Sequence, residues 1–78
     1  MKQETYKQAR ERLLASLAAE GFTTRPALKV PWAEPRDGSY RLWFKPQAVY
    51  LNAHSLWVDI RGMELPVFLA LVGRALGR

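Results

Sequence analysis

Arg41 and Lys45 bracket Trp43, and Trp57 is followed by Asp59 and Arg61 at the same two-residue spacing. In an extended chain, residues two apart project to one side. Each segment therefore offers an indole ring next to cations, and Lys29 on a preceding strand joins them. Flat aromatics set among cations can stack bases, at about 1–3 kcal/mol each, while the cations neutralise phosphates. Trp and Arg are also the favoured anchors of protein interfaces. A third reading has Trp43 and Trp57 pairing across strands only to shield the sheet backbone. Protein recognition, including self-association or inhibition of a larger protein, ranks first among these, and single-stranded nucleic acid second.

Catalytic arrangements are poorly represented. The chain has one His, no Cys and seven carboxylate side chains. His54 is adjacent to Ser55 and near Asp59, but neighbouring strand residues face opposite ways, so no triad follows. One His cannot make a zinc site, no spaced carboxylate cluster suggests calcium or magnesium, and no glycine-rich phosphate loop occurs. A non-enzymatic module with no cofactor is expected.

The elements that must position these residues are legible from periodicity. Residues 3–20 predict a helix with Tyr6, Ala9, Leu13 and Leu17 on one stripe, widened by Leu14 and Ala18. Lys7, Arg10 and Arg12 interleave with Glu4 and Glu11 as a solvated face with i,i+4 pairs. Gly21 stops the helix in a Schellman turn, letting Phe22 fold back. Residues 27–32 read as a strand with Leu28, Val30 and Trp32 inward and Lys29 outward, Pro31 favouring an edge. Residues 33–39 are turn chemistry.

A second strand begins at Tyr40, with Tyr40, Leu42 and Phe44 inward and Arg41, Trp43 and Lys45 outward. Pro46 interrupts it. A bulge there would return Val49 and Leu51 to the core and put Tyr50 outside beside Trp43; a separate short strand over residues 48–51 is the alternative. After a turn at Asn52-Ala53-His54, residues 55–61 read as the third strand, with Leu56, Val58 and Ile60 inward. Residues 64–76 predict the last helix, Pro66 in its first turn and Leu65, Phe68, Leu69, Val72 and Leu76 toward the core. Val67 and Leu71 fall off that stripe and precede Arg74 and Arg78, a small apolar strip suited to a partner or a second copy.

The expected architecture is a two-layer α+β domain of order α-β-β-β-α, a three-stranded antiparallel sheet with both helices on one face and the other face open. Seventy-eight residues make a single domain over residues 1–78. The net charge of +5 concentrates on residues 25–61, which carry six basic and three acidic groups, and it permits an anionic partner. No apolar run suggests a signal peptide or a membrane span. With no Cys the compartment stays open, a reducing cytoplasm being the default.

That order of elements resembles double-stranded RNA-binding domains at the level of topology. The family's motif residues are absent: the last helix starts Gly62-Met63-Glu64-Leu65-Pro66, with an acid and no Lys. The first loop, Glu34-Pro35-Arg36-Asp37-Gly38, has no net positive charge and no His. No site is carried over.

Overall fold

The computed structural model describes residues 4–46, 48–51, 54–56 and 58–77, with residues 54 and 55 described by their backbone. The first helix, α1, is Tyr6–Ala19. Its start is set by Thr5, whose hydroxyl accepts from the Gln8 N–H at 3.1 Å while the Gln8 side chain accepts from the Thr5 N–H at 2.9 Å. This reciprocal box satisfies two donors that the first turn leaves without helical partners. The helix thus begins later than the periodicity suggests, and residues 1–3 lie outside the described residues. Ala9, Leu13, Leu14 and Leu17 are buried, whereas Ala18, expected to widen the stripe, is exposed. At the other end Gly21 takes φ +96°. The Phe22 and Gly21 N–H groups return to the carbonyls of Leu17 and Ala18, the predicted Schellman stop.

The α+β class holds, but the sheet has five short antiparallel strands, not three. They are β1 Thr23–Arg25, β2 Trp32–Glu34, β3 Leu42–Phe44, β4 Val49–Leu51 and β5 His54–Leu56, hydrogen-bonded in chain order. The α-β-β-β-α order that carried the resemblance to RNA-binding domains is therefore not the observed one.

Prolines account for much of the difference. Arg25 precedes Pro26, and the residue before a proline is pushed to extended backbone; there β1 ends. The expected strand over residues 27–32 does not form, and residues 26–30 are turn and bend. Pro31 has no N–H to give, yet its carbonyl accepts from the Phe44 N–H at 2.8 Å and so opens the β2–β3 ladder. Pro46 marks a reversal, not a bulge: the Lys45 N–H donates to the Ala48 carbonyl at 3.0 Å, and Phe44 pairs with Val49. Val49 and Leu51 are buried as expected, through the separate short strand.

The expected third strand over residues 55–61 is also shorter. Only β5 is strand, so His54 lies in a ladder by its backbone; Asn52, Ala53 and Trp57 lie outside the described residues. Beyond it Ile60 is still buried, and Leu56 and Val58 pack on the core.

The last helix, α2, is Leu65–Ala75 with Glu64 at its N-cap. Its Phe68 and Val72 are buried, and Leu65, Leu69 and Leu76 pack on the core. Phe68 stacks on Phe44, ring centres 6.0 Å apart. Side chains of α1, α2 and the sheet residues Ala33, Leu42, Phe44, Val49 and Leu51 make one cluster. Among the described residues it contains no buried polar or charged side chain.

Candidate partner-binding face

Because paired residues of antiparallel strands project to the same side, the register fixes what the other sheet face carries. Ala33 pairs with Leu42 and Leu42 with Leu51, all inward. Their neighbours form the outward row: Arg25 pairs with Trp32, Trp32 with Trp43, and Trp43 with Tyr50. Four adjacent strands thus contribute one cation and three aromatic rings in line. Trp32, expected in the core, belongs to this row. The inward position of β2 is taken by the small Ala33, fully buried where α1 lies against β1 and β2.

The rings interact among themselves and with cations. Trp32 and Trp43 are 6.3 Å apart between centres and tilted by 60°. The Arg41 guanidinium lies 3.9 Å from the Trp32 ring centre and 5.3 Å from that of Trp43. Arg25 approaches Trp32 at 5.6 Å, and the Lys45 ammonium sits 4.2 Å from the Tyr50 ring centre. Trp32, Trp43, Tyr50 and Arg41 are half-buried, Arg25 and Lys45 exposed. Cation–π pairs at such exposed sites are worth about 0.5–1 kcal/mol each. Their larger effect is positional, since the charged heads are held over the rings.

Glu34 is the acid among them. Arg41 donates to its Oε2 from Nε at 2.8 Å, and Nη2 closes an ion pair with the same oxygen at 2.6 Å. An open groove of about 340 Å³ borders the row, lined by Glu34, Gly38, Ser39, Tyr40, Arg41 and Trp43. Gly38 shapes its rim: φ is +67°, and its N–H closes a turn onto the Pro35 carbonyl at 3.0 Å.

The underside of the row is tied to the helices. The Tyr6 hydroxyl donates to the carbonyls of Lys45 at 2.6 Å and Ala48 at 3.4 Å, fixing the reversal after which Lys45 reaches Tyr50. Burial pushes the Tyr6 phenol above its ordinary pKa. Two residues before Tyr6, Glu4 accepts from Arg12 at 2.6 and 2.8 Å and from the Gly62 N–H at 2.7 Å. These bonds replace the expected i,i+4 pairing of Glu4 on the helix and hold the Glu4 carboxyl at about 2.

Of the six residues expected on the open face, Arg41, Trp43 and Lys45 are brought together there. Lys29 is exposed in the 26–30 turn segment, off the sheet. Arg61 follows the sheet and closes on Asp59 at 2.7 Å. Trp57 lies outside the described residues. On α2, Val67 is 52 % exposed, Leu71 half-buried and Arg74 exposed, away from the aromatic row. Sequence reasoning missed Arg25, Trp32 and Glu34. The signal was present in Pro31: a strand that starts after it reads Trp32-Ala33-Glu34, with Trp32 and Glu34 on one side and Ala33 on the other.

No group of His, Cys, Asp and Glu among the described residues could hold a metal ion, and no helix there is long and apolar enough to cross a membrane. Comparison with protein-family models, curated proteins and solved structures found no match to the chain.

Proposed function

We propose that the outward face of the sheet binds single-stranded nucleic acid, with Trp32, Trp43 and Tyr50 as the stacking row and Arg25, Arg41 and Lys45 as phosphate partners. The single observation that carries this reading is the in-register line Arg25–Trp32–Trp43–Tyr50 across four strands. Adjacent strands lie about 4.8 Å apart, so successive rings offer successive platforms for a splayed strand. The guanidinium plane of Arg41 is itself a surface on which a base stacks.

Area favours this occupant over a protein. Three-residue strands are about 10 Å long and the row spans roughly 15–20 Å. The patch is therefore on the order of 200 Å², against about 800 Å² per partner in a standard protein interface. The large apolar side chains exposed by the described residues are Leu28, in the 26–30 turn segment, and Val67 on α2, neither of them a member of the row. Charge points the same way, with three cations on the face against the one carboxylate of Glu34.

The test is a titration of intrinsic Trp fluorescence with short oligothymidylates at low salt. Quenching that weakens steeply with added salt is expected, because phosphate contacts release counterions. Absence of quenching at low salt overturns the proposal. A monomer–dimer equilibrium abolished by Trp43→Ala, in a protein that ignores oligonucleotides, gives the face's role back to protein recognition.

A further inference from the structure

Two Arg41 nitrogens, Nε and Nη2, meet one oxygen of Glu34, Oε2. The other oxygen, Oε1, lies on the side of Gly38, where a Cβ would sit only 3.3 Å from it. Glycine at 38 thus keeps open the approach to a carboxylate oxygen at the rim of the groove. Trp43 and Ser39 line the same groove. An acceptor at the edge of an aromatic wall is what reads the hydrogen-bonding edge of a flat ring stacked on that wall.

We infer that this groove selects guanine, with Trp43 stacking the base and Glu34 Oε1 accepting from its N–H edge. The inference rests on the nucleic-acid reading and adds a base preference to it. An ionised carboxylate only accepts, so the edge facing it must donate. Guanine places a ring N–H and an amino group side by side. Adenine and cytosine place an amino group beside a ring nitrogen whose lone pair would oppose Oε1. Uracil and thymine flank their one ring N–H with two carbonyl oxygens. Arg41 keeps Glu34 oriented, through Oε2, without occupying Oε1.

The experiment uses the full chain and four single-stranded tetramers, TTGT, TTAT, TTCT and TTTT, titrated against Trp fluorescence at low salt. TTGT is expected to bind about tenfold more tightly than the others, the discrimination one good base contact supplies. In Glu34→Gln the preference falls to within about threefold while all four oligonucleotides still bind, since an amide that must also donate no longer requires a donor edge. Equal affinities in the wild-type chain overturn the guanine assignment and leave the platform standing. A tenfold preference that survives Glu34→Gln overturns the role of Glu34. If no tetramer quenches, platform and base preference fail together. The wild-type series decides the base preference even if Glu34→Gln does not fold.

Discussion

The guanidinium of Arg41 lies 3.9 Å from the ring centre of Trp32, a residue on the neighbouring strand. Its Nε and Nη2 are held at the same time by Glu34, two positions from Trp32 on β2. One arginine therefore sits over an indole while its nitrogens engage a carboxylate. Only a planar cation does both at once; a Lys ammonium is a point charge without a stacking face. Arg41→Lys is expected to keep the charge yet lose the layer between Trp32 and the ligand. Oligothymidylate affinity falls several-fold with the salt slope nearly unchanged, whereas Arg41→Ala also lowers that slope by about one. Titrations at three salt concentrations separate the two effects.

Trp32, Trp43 and Tyr50 each supply a ring, and loss of one stacking partner costs about 1–3 kcal/mol. Trp32→Ala and Trp43→Ala should each weaken oligonucleotide binding by about tenfold or more, while Tyr50→Phe leaves it nearly unchanged because the ring remains. Lys29→Ala and Arg61→Ala, which remove cations lying off the row, serve as the comparison and should shift affinity by less than about threefold. Losses from Lys29→Ala and Arg61→Ala as large as those expected of the two Trp variants, with Trp32→Ala and Trp43→Ala near neutral, would show that total charge, not the row, governs binding.

What the sequence made legible follows from where local pattern and tertiary position coincide. Leu42, Trp43 and Phe44 alternate without interruption, and their sides were readable directly; so were Phe68, Leu69 and Val72 on α2. Val49 and Leu51 read as core by either route offered at Pro46, bulge or separate strand, since apolar type alone demands burial; which route the chain takes is not legible locally. Trp32 went to the wrong face because the largest apolar residue of a segment is ordinarily the buried one. Its neighbour Ala33 is inward instead, where α1 comes close, and that packing is long-range and leaves no trace in local alternation. Lys29 and Arg61 were placed by extending strand periodicity past the points where hydrogen-bonded pairing stops.

Tyr6 links α1 to the reversal that carries Lys45. Tyr6→Phe keeps the ring and removes the hydroxyl that bonds the Lys45 and Ala48 carbonyls. A loss of about 1 kcal/mol of stability is expected, measured by urea denaturation. Because Lys45 sits over Tyr50 only while the reversal is held, oligonucleotide affinity should also decline, by less than in Lys45→Ala. A destabilised Tyr6→Phe with unaltered affinity would separate the turn from the site.

Acid sensitivity provides the last prediction. The Glu4 carboxyl is held at about 2, against an ordinary 4.5, by its hydrogen bonds to Arg12 and to the Gly62 N–H. Unfolding separates it from both, since they lie 8 and 58 positions away in the chain. Below 4.5 the unfolded state therefore takes up a proton that the folded state resists. The stabilisation is fully present above about pH 4.5 and is lost as pH falls toward about 2. Asp59 is also held at about 2, but its partner Arg61 is two residues away and remains close in the unfolded chain. Its shift thus adds less to the pH dependence of folding. Glu4→Gln should accordingly be less stable than the wild type at pH 7 and lose less on acidification, the two stabilities converging near pH 2. Urea midpoints measured from pH 7 to pH 2 decide it: parallel curves for the two proteins would mean that the contact between α1 and the turn at Gly62 does not contribute to folding.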